Sequence, residues 1–320
     1  PEVQADLEDP ANYQTAPWKS AFAFWLQEES HYPIGGLDFS SLYPSIIMCY
    51  NFSPERMIHS LKRALEYKKK GERLHAAVVE FSGRIIKGWS VRHNLLGDEP
   101  DDVIEDPANN FGLFPRILRR LFADRAAIKK MMKPIGKKLE KMLNLPLEEF
   151  ELVKEEYHKL ELRYKYLDGK QKAKKVMMNT FYGESGNSVS PMRVLAVAGG
   201  ITAAGQFNLK MVCRFVEGEK CRIYYGDTDS VYISMARANF RQHDIDYYTE
   251  QIDKNEYHRR LITTSFQAIE RVRDKVNAML FADNGTKFLV MAYEELLLPA
   301  IMAGKKKYAG IEHKKIYNEN

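Results

Sequence analysis

Two aspartates, Asp227 and Asp229, stand two residues apart within Tyr224-Tyr225-Gly226-Asp227-Thr228-Asp229-Ser230-Val231-Tyr232-Ile233. Strand-forming residues flank a polar break, which predicts a β-hairpin. On an extended strand both carboxylates would face one side, and at a tight turn both would project toward one point. Either way they converge and repel, and a divalent cation is the usual relief. The pair alone does not decide the chemistry. Asp also favours turns for its own backbone hydrogen bonds, and the same short pattern holds a metal and a nucleotide sugar in glycosyltransferases.

A third carboxylate, Asp38, lies in the short apolar run Leu37-Asp38-Phe39, read as the end of a buried strand after the break Tyr32-Pro33-Ile34-Gly35-Gly36. The turn that follows, Ser40-Ser41-Leu42-Tyr43-Pro44, is expected to stop at Pro44. That would leave the N–H groups of Ser41, Leu42 and Tyr43 without partners and attractive to phosphate. Tyr43, held against that site, would shape a pocket around a nucleotide sugar. The alternative for the segment is a core turn with a buried tyrosine.

In Lys172-Ala173-Lys174-Lys175-Val176-Met177-Met178-Asn179-Thr180-Phe181-Tyr182-Gly183, helical spacing puts Lys172, Lys175, Asn179 and Tyr182 on one stripe opposite Val176 and Met177. A cationic end beside an aromatic end suits a nucleotide. Arg125 and Lys129, four apart on the preceding helical stretch, make a matching pair. Arg can grip phosphate oxygens bidentately, and Lys acts as a point charge. Each stripe taken alone also reads as a solvated helix face.

The positioning elements follow from periodicity. An amphipathic helix is predicted from Phe114 to Met142, with Pro134 and Gly136 kinking or ending it, and a second from Leu147 to Met178. Two long antiparallel helices are the simplest arrangement. Val194 to Val216 reads as a buried helix, Tyr247 to Phe281 as another, and Phe288 to Leu298 and Tyr308 to Ile311 as strands. The basic helix around Leu61 to Arg73, the alternation near Val78 to Ile86 and the acidic loop Gly97 to Pro107 read as connecting structure. The aromatic run Phe22, Phe24 and Trp25 reads as an element packed on a core.

The chain of 320 residues, 45% hydrophobic, has material for a large core, and its length suggests two domains. Three cysteines, Cys49, Cys213 and Cys221, are too few and too irregular for a disulfide framework or zinc site, so a reducing compartment is expected. No run approaches a membrane span, so the protein is expected to be soluble. The net charge of +5 is concentrated: Leu113 to Lys175 holds 18 Lys and Arg against 9 Asp and Glu. That imbalance favours a polyanionic partner. The chain starts at Pro1 and ends in Tyr317-Asn318-Glu319-Asn320, so a fragment of something longer is expected.

In this order the three elements closely resemble family B DNA polymerases, the class of the eukaryotic replicative enzymes and of many large DNA viruses. Asp38 to Ile46 matches the family's motif Asp-Phe-x-Ser-Leu-Tyr-Pro-Ser-Ile. Lys175, Asn179, Tyr182 and Gly183 match Lys-x-x-x-Asn-Ser-x-Tyr-Gly, with Thr180 where Ser is usual. Tyr225 to Ser230 matches Tyr-Gly-Asp-Thr-Asp-Ser in full. Lys305-Lys306-Lys307-Tyr308 is similar to the family's Lys-Lys-Arg-Tyr motif, with a lysine at 307 that keeps the charge and loses the fork.

The resemblance implies an α+β fold: an antiparallel palm sheet backed by helices, with an inserted antiparallel two-helix fingers subdomain. Residues 1–110 would be the first part of the palm, 111–187 the fingers and 188–320 the rest of the palm, with a thumb expected beyond residue 320. It also implies template-directed addition of deoxynucleotides to a primer 3′-OH, with release of pyrophosphate. Asp38 and Asp229 would be the main ligands of two Mg²⁺ ions, or Mn²⁺, helped by the Phe39 carbonyl, Asp227 and, more loosely, Glu294. Ser41, Leu42, Tyr43, Arg125, Lys129, Lys175 and Asn179 would bind the nucleotide, with Tyr43 excluding a 2′-hydroxyl and Lys175 donating a proton to pyrophosphate. Tyr182, Gly183, Lys305, Lys306, Lys307 and Tyr308 would meet DNA. The implied partners are primer–template DNA, deoxynucleoside triphosphates and a processivity factor, with no membrane. The implied location is intracellular, in the nucleus, the cytoplasm or a viral replication site. A polymerase-like scaffold that binds DNA without chemistry is the alternative, and an intact Asp38, Asp227, Asp229 and Lys175 argue against it.

Overall fold

The computed structural model describes residues 32–81, 84–95, 109–304 and 306–314, with the backbone of three short strands before them, β1 (Gln14–Pro17), β2 (Ala23–Trp25) and β3 (Glu28–Ser30). The loop Gly97 to Pro107, the residue Lys305 and the side chains of the aromatic run at 22–25 lie outside the described residues. The fold is α+β.

Its larger sheet is antiparallel. Strand β4 (Ile34–Phe39) lies between β9 (Ser230–Ser234) and β10 (Met291–Gly304). Beyond them stand β8 (Arg222–Asp227) with β2 on one side and β11 (Lys307–Glu312) on the other, while β3 pairs with the far part of β10. Strand alternation gives the sheet two unlike faces. Leu37, Phe39, Val231 and Ile233 point into the main core, where α5 (Leu195–Gly218) and α7 (Lys254–Asn284) pack. Helix α7 sits so close that a Cβ on Gly35 would collide with Ile269, so glycine is what permits the approach. The other face carries Ile34, Tyr225, Tyr232 and the acidic residues, with a smaller apolar cluster.

The described part of the stretch read as connecting structure forms regular elements of its own. After α1 (Leu42–Tyr50) come β5 (Met57–Ile58), α2 (Leu61–Lys69), β6 (Leu74–Phe81) and β7 (Arg84–Val91). These strands form a second sheet, β1-β6-β7-β5, parallel only where β1 meets β6. Helix α5 packs against strands of both sheets, so one buried helix joins them. The helix expected from Tyr247 to Phe281 is two, α6 (Arg241–Tyr248) and α7. The Asp253 carboxylate accepts from Glu256 N at the start of α7, and that cap marks the boundary.

Between the two halves of the large sheet run α3 (Leu113–Leu143) and α4 (Leu147–Gly186), an antiparallel arm about 45–60 Å long by helical rise. Ile128 packs with Leu167 and Phe114 with Phe181. Pro134 does not end α3, and it is an interior residue. An interior proline costs about 3 kcal/mol, yet the flanking turns are braced by Ile135, Tyr164 and Leu167, and packing on a partner helix outweighs a local break. Gly136 belongs to that bracing, since a Cβ there would meet Tyr164 at 3.3 Å. The root of α3 is held from afar. The N–H groups of Gly112, Leu113 and Phe114 donate to Asn51 Oδ1, Glu55 Oε1 and Ser53 Oγ at 2.7, 2.7 and 3.2 Å. Asn51 is fully buried, and its Nδ2 donates to Val91 O and Asn110 O.

Candidate active site

Asp38 is the next-to-last residue of β4 and pairs across the ladder with Ser230 of β9. One step on, Phe39 N donates to Asp229 O at 2.8 Å. Asp227 ends β8 and pairs with Ser230, so Thr228 and Asp229 alone form the hairpin turn, with Thr228 in the left-handed region at φ 49°. The backbone ladder thus brings Asp38 and Asp229 to one end of two adjacent strands, although they are far apart in the chain.

Their electrostatics follow. Burial, then the Asp229 and Glu294 carboxylates, push Asp38 up to about 7, against the opposing pull of Lys175. Asp229 is also raised, by burial first and by Asp227, while its backbone hydrogen bond, Lys175 and Lys306 pull it down. Asp227 is committed elsewhere. It is buried, takes hydrogen bonds from Thr228 Oγ1 at 3.1 Å and Tyr225 OH at 3.3 Å, and has Lys306 Nζ at 3.6 Å. Asp229 is therefore the member of the pair that acts on Asp38.

The turn after β4 differs from expectation. Pro44 does not terminate it, and Pro44 lies in the first turn of α1, where a missing N–H costs nothing. Ser41, in the left-handed region at φ 56°, swings the chain from strand to helix, and Ser45 N is the donor that returns to Ser41 O. The N–H groups of Ser41, Leu42 and Tyr43 thus lie at the start of a helix, beside Asp38. Leu42 can offer only its backbone, because its side chain is buried. Tyr43 stacks on Tyr182 of α4 with ring centres 4.2 Å apart. Its hydroxyl is raised by burial first, then by Tyr182 and by the Asp229 and Asp227 carboxylates, so it is electrostatically coupled to the acidic hairpin.

At the root of the arm, Lys175 is exposed on α4 and its charge reaches both Asp38 and Asp229. Partial burial, then Arg125 and Lys175, hold the Lys129 ammonium below the usual lysine range, so the three cations form one cluster. Arg125 Nε donates to Gln171 Oε1 at 3.1 Å, which fixes its guanidinium against α4. Asn179 and Gly183 are exposed farther along the same helix. The stripe is bounded differently from the sequence reading: Val176 and Met177 are 66% and 54% exposed, and Met178 is the core residue. Lys172 turns to Asp168, away from the carboxylates.

On β10, Glu294 is exposed, and its carboxyl is raised by burial of its oxygens, by Glu295 and by Asp229. A bulge between Tyr293 and Leu296 sets both glutamates against Gly36. The turn from β10 to β11 brings Lys306 to Asp227, while Lys307 is exposed and Tyr308 is 40% exposed.

Sequence reasoning missed Tyr225, Tyr232 and Glu295 on this polar face, and Gln171 as the partner of Arg125 in the arm. A signal existed for Glu295, because two successive acidic residues inside an apolar strand run break the period of two and announce a bulge. The two half-buried carboxyls Asp38 and Asp229 suit a hard, oxygen-preferring cation that completes its shell with water and phosphate oxygens. Among the described residues no three His, Cys, Asp or Glu side chains form a cage for an ion by themselves.

The family model for DNA polymerase family B matches residues 30–145 and 151–247. The protein named DNA polymerase beta of African swine fever virus (isolate Warthog/Namibia/Wart80/1980) is 41% identical over 298 residues, which is 91% of this chain and 23% of that protein. The DNA polymerase of Paramecium bursaria Chlorella virus NY2A is 26% identical over 283 residues, 87% of this chain and 24% of its own length. The DNA polymerase delta catalytic subunit of Drosophila melanogaster is 25% identical over 296 residues, 87% of this chain and 20% of its own. The chain thus spans between a fifth and a quarter of the length of these relatives.

Proposed function

The chain belongs to DNA polymerase family B, and from that premise we propose that it is the nucleotidyl-transferring core of a DNA-directed DNA polymerase. The large sheet and its helices act as the palm and the α3–α4 arm as the fingers, and the deoxynucleotide enters between them. The observation that carries this reading is the union of Asp38 and Asp229 at adjacent strand ends, with Lys175 above them.

When bound, two Mg²⁺ or Mn²⁺ ions held by Asp38 and Asp229, with the Phe39 carbonyl, Asp227 and Glu294 in support, supply charge neutralisation and an acidified primer hydroxyl. The N–H groups of Ser41, Leu42 and Tyr43 receive the phosphates at the start of α1. Arg125, Lys129, Lys175 and Asn179 close on the triphosphate, adding positive charge where negative charge develops and excluding water. Lys175 delivers a proton to the leaving pyrophosphate. Tyr43, braced by Tyr182, sits under the sugar and excludes a 2′-hydroxyl. Gly183 on α4, Lys306 in the β10–β11 turn and Lys307 and Tyr308 at the start of β11 contact primer–template DNA, as does Lys305. Sequence is read by base pairing, so phosphate contacts suffice for the protein. A processivity factor and an intracellular site of replication belong to the same reading.

Primer extension by this chain with deoxynucleotides and Mg²⁺ tests it. Extension that Asp229→Ala abolishes is the expected result, and a variant that turns over like its parent would refute the metal assignment. DNA retained without any extension by the parent would instead favour the scaffold reading.

A further inference from the structure

The β10–β11 turn poses a mechanical problem. Strand β11 is exposed along all six residues, so little burial holds it, yet the turn at its start carries lysines and reaches the acidic hairpin. Two tyrosines of the β8–β9 hairpin, both nearly fully buried, span the gap. The Tyr225 hydroxyl accepts from Lys306 N at 3.1 Å and donates to Asp227 Oδ2 at 3.3 Å. The Tyr232 hydroxyl donates to Glu295 Oε1 at 2.8 Å and lies 2.9 Å from the Tyr308 hydroxyl. One hydroxyl has one proton, so with Tyr232 donating to Glu295, Tyr308 supplies the proton of the second bond. The three rings close a triangle with centres 5.1, 5.7 and 5.8 Å apart. The bulge in β10 is what turns Glu295 toward this triangle.

We propose that Tyr225, Tyr232 and Glu295 are positioning residues, a hydroxyl clamp that fixes the β10–β11 turn over the acidic hairpin and so holds Lys306 where it meets both Asp227 and the nucleic-acid backbone. The inference rests on the polymerase reading for what Lys306 meets. The clamp acts through Lys306 and not on the reacting atoms, and that makes it separable from a general loss of fold. A tyrosine that merely filled space would not need its hydroxyl, because Phe keeps the ring and the triangle.

The test is a double-mutant cycle on primer–template retention across a salt series, read by fluorescence anisotropy. Lys306→Met should lower the slope of log affinity against log salt by about 0.9, the signature of one lost phosphate contact. Tyr232→Phe should weaken retention roughly fivefold, as loss of a hydrogen bond does, and lower the slope similarly. The double variant should be no worse than Lys306→Met alone. Glu295→Gln, which keeps an acceptor oxygen, should bind like the parent, and Glu295→Ala should behave like Tyr232→Phe. Additive losses in the cycle, or a Tyr232→Phe slope equal to the parent's, would overturn the clamp. If the parent extends primers while the cycle is additive, only the clamp fails. A parent that neither retains nor extends primer–template overturns the polymerase reading and the clamp with it.

Discussion

The acidic strands and the cationic arm are built on opposite plans. Asp38 and Asp229 sit on a sheet whose far face is sealed by α5 and α7, with Leu37, Phe39, Val231 and Ile233 fully buried beneath them. The arm is sealed only at its root, where Asn51, Ser53 and Glu55 cap α3 and Phe114, Leu118 and Met178 enter the core. Farther out it is a pair of helices held by a narrow seam and the exposed ion pair Lys138–Glu156, with pairs such as Lys159–Glu155 and Lys165–Glu161 inside α4, and Leu152 near its far end is 86% exposed. Rigid burial suits groups that must keep a fixed spacing against mutual repulsion. A lever joined at one end suits groups that are to close on a ligand.

That contrast can be broken or sharpened by substitution, and the largest effect belongs to the sheet. Asp38→Ala should lower the rate of nucleotide addition by at least about a thousandfold, or roughly 4 kcal/mol in the barrier, and leave DNA retention nearly intact. A modest loss in single-turnover extension would remove Asp38 from the chemistry. Next comes the root of the arm. Asn51→Ala strands buried partners on both sides of the chain and should cost about 2–4 kcal/mol in denaturant unfolding, whereas a loss below about 0.5 kcal/mol would mean that the arm is not anchored there. Lys175→Met should slow addition about a hundredfold at saturating nucleotide, with the melting temperature unmoved, because the lysine is exposed.

A pH effect of intermediate size distinguishes the carboxylates from ordinary surface acids. The folded-state value of Asp38 is raised from 3.8 to about 7, so its contribution to stability is fully present below the unfolded value and is lost as pH rises through about 7. A cation that binds the ionised form competes with that proton. The rise in melting temperature on adding Mg²⁺ should therefore grow as pH passes from 6 to 8, and Asp38→Asn should flatten the trend. A shift independent of pH would contradict the coupling. The smallest effect is at the far end of the arm, where Leu152→Ser should change stability by less than about 0.5 kcal/mol, and calorimetry showing a larger loss would reveal packing that the contrast denies.

Much of the local structure was legible, and the reasons are local. The hairpin around Asp227 and Asp229, the strand ending at Phe39 and the two long helices each follow from residue spacing alone. The errors share a cause. Pro44 read as a stop, and Pro134 as a kink or a stop, because a proline's cost is local, while the packing that carries α3 through Pro134, or the helix start that tolerates Pro44, is set elsewhere. Val176 and Met177 read as the buried side of α4 because hydropathy cannot say which face meets α1 and α3, and Met178 took that place. No window of sequence could have joined Tyr232 to Tyr308 or Glu295, since a bulge in one strand sets their register.

What the amino-acid sequence determined by itself is the chemistry on offer: three aspartates at a strand end and a hairpin tip, a turn of small and aromatic residues beside the first of them, and a cationic stripe, in the order of family B. What only the tertiary structure decided is which of them act on one another. Asp229 faces Asp38 while Asp227 is tied to Tyr225 and Lys306, and Lys175 reaches the carboxylates while Lys172 does not. Side-chain type is written residue by residue, but electrostatic coupling falls off within a few ångströms, and those ångströms are fixed by strand register and helix rotation.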